Sequence, residues 1–105
     1  IYKIKDRDKI NCALICDLFV NATNLGMKET DPLPIEPTAL HKNMFVFDVV
    51  YNPRETKLIK LAKEKKLNYI NGLGMLLYQG ALSFKLWTGI EPPIEIMRKA
   101  LLEAL

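Results

Sequence analysis

Met44-Phe45-Val46-Phe47-Asp48-Val49-Val50-Tyr51-Asn52-Pro53 is the stretch on which the fold turns. From Met44 to Val50 the run is apolar except for Asp48, and rich in β-branched and aromatic residues. A short continuous run of this kind suits a strand buried on both faces. It ends at Pro53, because proline cannot continue a central strand. A helical pattern follows from Glu55 or Thr56 to Lys66, with Leu58, Ile59, Leu61 and Ala62 on one side and the lysines and Glu64 on the other. Asn68-Tyr69-Ile70 then reads as a very short strand. Upstream, Leu18-Phe19-Val20 is a second buried-strand run, and it ends in Asn21-Ala22-Thr23. Strands alternating with a helix predict an α/β fold with a mostly parallel sheet.

The flanks extend this pattern. Residues 24–39 read as loop, broken by Asn24, Gly26, Asp31, Pro32, Pro34 and Pro37. Gly72-Leu73-Gly74 turns the chain into a long helix, Met75 to Thr88, that is apolar almost all round and so is expected to be buried on several sides. Gly89 is a natural stop, and Pro92-Pro93 opens a last helix with the stripe Ile94, Met97, Leu101 and Leu105. At the other end, Ile1 to Asp8 alternates apolar and charged residues, as a short strand or edge extension would. Ile10 to Cys16 fits one or two helical turns. There is no internal repeat and no low-complexity segment.

Composition excludes several classes. The 105 residues are 50% apolar and 26% charged, which is ordinary for one globular domain. The 15 basic and 12 acidic residues leave a net charge of only +3, too weak and scattered to argue for nucleic acid. No apolar run reaches the roughly 18–20 residues needed to span a bilayer, so no membrane partner is expected. Residues 1–9 are mostly charged and do not resemble a secretory leader. Cys12 and Cys16 are the only cysteines and His41 the only histidine, so two free cytosolic thiols and no metal site are expected.

In open α/β sheets ligands bind beyond the C-terminal strand ends. Here those positions are Asn21-Ala22-Thr23, Tyr51-Asn52 and Asn71-Gly72-Leu73-Gly74. Gly72-x-Gly74 sits between a strand and a helix, as in a dinucleotide fingerprint. The third glycine is missing, since position 77 is leucine, and a tight turn with close backbone approach is the plainer reading. Gln79 shares a helix face with Met75, Leu82 and Leu86. A buried amide there needs partners, either a neighbouring carbonyl or a hydroxylated ligand. Tyr51 ends a strand, as a ring capping the sheet edge or as a phenol facing the crevice. Asp48, inside an apolar strand, needs a hydrogen-bond partner and reads as an anchor. His41 reads as a solvated surface residue. No Ser/His/Asp set, carboxylate pair or metal cluster can be assembled.

Three ordered blocks carry a resemblance. Asn21-Ala22-Thr23-Asn24-Leu25-Gly26-Met27 resembles the N-A-T-x-x-G-M signature of shikimate dehydrogenases. Asp48-Val49-Val50-Tyr51-Asn52-Pro53-Arg54-Glu55-Thr56 resembles their D-x-x-Y-x-P-x-x-T segment. Asn71-Gly72-Leu73-Gly74-Met75-Leu76 through Gln79-Gly80-Ala81, then Phe84 and Trp87-Thr88-Gly89, resembles their G-x-G-M-L-x-x-Q segment and C-terminal helix.

The resemblance implies NADPH-dependent reduction of 3-dehydroshikimate to shikimate, in the chorismate pathway of aromatic amino-acid biosynthesis in the cytoplasm. It implies that Tyr51 and Gln79 contact the substrate, and that Val49 and Gly72 hold the nicotinamide through their backbone. Asn21, Ala22 and Thr23 would line the cofactor crevice. Val49 stands where the family often has methionine or leucine. The family's Ser-x-Ser pair, catalytic Lys–Asp couple and glycine-rich phosphate turn have no counterpart in this sequence, so no catalytic residue is assigned. With Ile1 in place of an initiator methionine, residues 1–105 are expected to be one partial domain: the C-terminal half of a Rossmann-type NAD(P)-binding domain, parallel strands with flanking helices and a C-terminal helical pair. Two alternatives stay open: a quinate/shikimate dehydrogenase using NAD or NADP, and a non-catalytic piece that self-associates, a homodimer being the commonest closed form.

Overall fold

The computed structural model describes residues 15–105. The strand expected at Ile1–Asp8, Cys12, and most of the turns expected at Ile10–Cys16 lie outside the described residues.

Strands β1 (Leu18–Asn21), β2 (Phe45–Asp48) and β3 (Asn68–Ile70) form a three-stranded parallel sheet in the order β1-β2-β3. Leu18 pairs with Phe45 and Asn21 with Asp48, while Phe45 pairs with Asn68 and Phe47 with Ile70. Strand side chains alternate between faces. This register therefore puts Phe19, Asn21, Val46, Asp48 and Tyr69 on one face, and Leu18, Val20, Phe45, Phe47 and Ile70 on the other.

Helix α1 (Lys57–Glu64) carries the chain from β2 to β3 and covers the first face with Leu58, Ile59 and Ala62. Thr56 starts it, its hydroxyl accepting from the Ile59 N–H at 3.2 Å. The rest of the core comes from an unexpected place. Ile35, Ala39, Leu40 and Met44, in the connection between β1 and β2, are buried beside Val46 and Leu58. That connection contains a 3₁₀ turn at Pro37–Ala39 and does the covering that a crossover helix often does. His41, expected on the solvated surface, is half-buried. Its Nε2 bonds the Cys16 carbonyl at 2.5 Å, and its Nδ1 accepts from the Asn43 N–H at 3.2 Å.

The second face is open. Leu18 is 55% exposed, and Phe45 and Ile70 are exposed with it. The expectation that the β1 and β2 runs are buried on both faces is therefore corrected: alternation decides which of their residues are covered.

Helix α2 (Leu73–Thr88) ends at Gly89, whose φ of +69° is the left-handed conformation of a helix stop. Helix α3 (Ile94–Ala104) folds back on α2, with Met97 against Gly80 and the Arg98 guanidinium donating to the Tyr78 hydroxyl at 3.2 Å. The Arg54 guanidinium ties the pair to the β2–α1 loop, donating to the Leu102 carbonyl at 2.6 Å. Contrary to expectation, α2 is not buried on several sides: only Leu77 and Ala81 are buried.

Candidate functional site

The site forms where the strands stop. Val49 donates its N–H to the Asn21 carbonyl at 3.1 Å, and Gly72 donates to the Val50 carbonyl at 3.2 Å. These bonds extend the pairing beyond the strands and bring the segments after β1, β2 and β3 side by side. A cleft of about 380 Å³ opens there, lined by Thr23, Met27, Val49, Val50, Tyr51 and Asn52. Its size is near the lower end for small-molecule sites, enough for a ring-sized group.

A buried polar network stands behind the cleft wall. The Asp48 carboxyl accepts from Asn21 Nδ2 at 3.0 Å and the Val50 N–H at 3.1 Å through Oδ1, and from the Thr56 hydroxyl at 2.5 Å through Oδ2. The anchoring partners expected for an acid in an apolar strand are therefore in place. Asn21 Nδ2 also donates to the Leu25 carbonyl at 2.9 Å. Among the described residues, no buried side-chain nitrogen or oxygen lacks a partner.

The cleft's outer wall is a loop held by a carboxylate. Asp31 Oδ2 accepts from the Gly26 N–H at 3.1 Å and the Lys28 N–H at 3.0 Å, so Met27 is gripped from both sides. The Lys28 N–H is the largest cause holding the Asp31 carboxyl below its ordinary pKa. Gly26, at φ +107°, supplies a turn that side chains rarely adopt. Met27 belongs to the N-A-T-x-x-G-M block, yet nothing in sequence spacing marks it as a wall of the site.

Gly72 has a specific reason to be glycine. A Cβ at that position would lie 1.7 Å from the Val49 carbonyl oxygen. The glycine lets the start of α2 pack onto the end of β2, and so brings the Gly72 and Val49 backbones together at the site. Gly74 has no such constraint, since a Cβ there would meet nothing within 4 Å.

The candidate residues are thus only partly gathered. Thr23, Val49 and Tyr51 line the cleft. Asn21 is buried behind it, Gly72 is buried beside Val49, and Ala22 is exposed outside the lining. Gln79 is not the buried amide expected. It is exposed on α2 and donates to the Leu76 carbonyl at 3.0 Å on its own helix. Among the described residues, no three His, Cys, Asp or Glu side chains are placed to hold a metal, and no helix is long and apolar enough to cross a membrane.

Known proteins bear on this arrangement. The family described as the shikimate 5'-dehydrogenase C-terminal domain matches residues 72–102. The shikimate dehydrogenase (NADP(+)) of Methanosarcina mazei is 49% identical over 90 residues, 85% of this chain and 32% of that protein. The chain thus spans about a third of the length of the curated relatives it matches. The solved structure of quinate dehydrogenase from Corynebacterium glutamicum in complex with NAD superposes with a TM-score of 0.86 at 32% identity, covering 97% of this chain and 36% of that one. Shikimate 5-dehydrogenase from Thermus thermophilus, in complex with NADP(H) and shikimate, gives 0.81 at 36% identity, covering 91% and 37%. The parallel sheet is accordingly part of a Rossmann-type fold. The chain is therefore similar to shikimate dehydrogenases over 85% of its own length, and over residues 72–102 to their C-terminal domain, while matching about a third of the length of those relatives.

Proposed function

We propose that the protein carrying this chain is an NADP-dependent shikimate dehydrogenase, reducing 3-dehydroshikimate to shikimate in the cytoplasmic route to chorismate and the aromatic amino acids. The observation that carries the reading is the strand-end cleft. Its walls combine an apolar side, Met27, Val49 and Val50, with the polar Thr23, Tyr51 and Asn52.

The fit to a nicotinamide ring rests on that cleft and on Gly72, where even a methyl group would collide with the Val49 carbonyl. When bound, the nicotinamide supplies a hydride to the substrate's carbonyl carbon. The chain's own residues bind and orient. Met27 and Val49 offer apolar surface to a ring and exclude water. The backbone at Val49 and Gly72 holds the carboxamide end, and Thr23 bounds the cofactor side. The Tyr51 phenol and the Gln79 amide are donors and acceptors for a polyhydroxylated substrate. For Gln79 this role requires its amide to leave the Leu76 carbonyl, a bond exposed to water and so weakly held.

A second reading, a quinate dehydrogenase using NAD, is supported by the 0.86 superposition on the Corynebacterium enzyme. Assays of the complete polypeptide with shikimate or quinate, and NADP⁺ or NAD⁺, separate the two. Faster oxidation of shikimate with NADP⁺ is expected, while faster oxidation of quinate with NAD⁺ selects the second reading. Oxidation of neither overturns both. The 105-residue chain alone is expected to turn over neither substrate, because no catalytic Lys–Asp couple is found in its motifs. In the complete protein, Tyr51→Phe and Gln79→Ala are expected to impair shikimate handling more than NADP binding. Gln79→Ala should cost about 1–3 kcal/mol in kcat/KM, the scale of an unpaired polar partner.

A further inference from the structure

We propose that Asn21 and Asp48 act on the dinucleotide without touching it, as positioning residues that hold Thr23 and the end of β2 in the shape of the cleft wall. The proposal rests on the dinucleotide-binding reading above.

The argument starts from valence. A primary amide makes at most two donations and accepts at two lone pairs. Asn21, 1% exposed, uses all four. Its Nδ2 donates to the Leu25 carbonyl and to Asp48 Oδ1, and its Oδ1 accepts from the Thr23 N–H at 3.2 Å and the Thr23 hydroxyl at 2.6 Å. Nothing is left to offer a ligand. Thr23 is the opposite case. It is exposed and lines the cleft, and its hydroxyl, which donates to Asn21 and accepts from the Leu25 N–H at 3.1 Å, keeps one lone pair.

Asp48, 0% exposed, connects this turn to the rest of the wall. Its Oδ1 joins Asn21, at the end of β1, to the Val50 N–H, inside the segment that lines the cleft. Its Oδ2 holds Thr56, the residue that starts α1. One buried carboxyl thus fixes two strand ends and the following helix. Removing either partner leaves buried donors unpaired and frees the turn that presents Thr23.

The test is a double-mutant cycle in the complete polypeptide, read as NADPH affinity by fluorescence titration, with the KM for shikimate measured alongside. Asn21→Ala and Thr23→Val are each expected to weaken NADPH about tenfold, the scale of the single polar link that Thr23 has left to offer a ligand. If Asn21 acts through Thr23, the double variant falls within about twofold of the weaker single variant, as coupled neighbours do. The KM for shikimate stays within about twofold of wild type, a split that general destabilisation would not produce. Losses that multiply to about a hundredfold in the double variant overturn the proposal, as does unchanged NADPH affinity in Asn21→Ala. Should Asn21→Ala fail to fold, the cycle is run with Asn21→Ser, which keeps a polar group at the position but removes the Oδ1 that accepts from Thr23, and the same outcomes decide. Failure of the wild-type protein to bind NADPH would count against the dinucleotide reading itself, a separate result.

Discussion

Helices α1 and α2 carry similar apolar side chains and meet opposite fates. In α1 these residues fall on one stripe, and Leu58, Ile59 and Ala62 are buried against the sheet while the lysines face water. In α2 they occur all round the helix, and Leu82 and Trp87 remain 64% and 84% exposed. The amphipathic helix states in its sequence where its cover lies. The uniformly apolar helix states only that it needs cover, and the rest of this chain supplies it along one line, at Leu77 and Ala81. The two faces of the sheet repeat the contrast, with Val46 sealed under α1 and Leu18 facing out.

The largest expected effect separates these regions in solution. The 105-residue chain should self-associate, because α2 and the open sheet face together present a broad apolar surface. Sedimentation across a concentration series checks this, and a folded, strictly monomeric species at high micromolar concentration would refute it. Substitutions then sharpen the comparison. Leu58→Ala removes a buried side chain from under the sheet and should destabilise the chain by about 2–5 kcal/mol in denaturant titration. Leu82→Ala should change folding stability by less than about 0.5 kcal/mol and weaken association instead. Equal losses of stability would mean that α2 is covered as well as α1.

The same contrast explains what the sequence made legible. The order of strands and helices could be read because each element has its own period and its own stop: Pro53 after β2, Thr56 before α1, Gly89 after α2. The Asp48 anchor was legible too, since an acid in an apolar strand must have partners. Burial was less so, because it depends on residues distant in sequence. Leu18 and Phe19 look alike in a run, but the register gives only Phe19 to the core. Residues 24–39, broken by three prolines and Gly26, look like plain loop, yet Ile35 and Ala39 are core. At the site, Thr23 and Tyr51 could be placed from their strand ends, and Val49 only through the resemblance. Met27 could not, since it reaches the cleft only through the loop that Asp31 closes.

The two glycines that open α2 give a smaller effect with a sharper sign. At Gly72 an added methyl overlaps the Val49 carbonyl, so Gly72→Ala must push α2 away from β2 and should cost about 1–3 kcal/mol, as overpacking does. At Gly74 the space is open and the backbone helical, so Gly74→Ala should stabilise by up to about 1 kcal/mol through helix propensity. Denaturant midpoints of the two variants check the pair. Similar midpoints would show that α2 is not pinned to the sheet at Gly72.

The smallest effect lies in the Met27 loop and depends on pH. The Asp31 carboxyl is held below its ordinary value of 3.8, first by the Lys28 N–H and also by the Gly26 N–H and the charges of Lys28 and Lys57, against a partial desolvation that raises it. A carboxyl whose pKa is lower in the folded state binds its proton more readily when unfolded. Its contribution is therefore complete above the unfolded value and is lost as pH falls through the folded one. The loop should stay fixed at neutral pH and loosen only in acid. The amide proton signals of Gly26 and Lys28 should titrate together with a midpoint below 3.8. In Asp31→Asn the side-chain oxygen can still accept from both N–H groups, but the titration disappears. A wild-type midpoint at or above the ordinary carboxylate value would show that these donors do not grip the ionised group. Met27 would then be free to leave the cleft at any pH, and the wall it forms would be as loosely held as the exposed surface of α2.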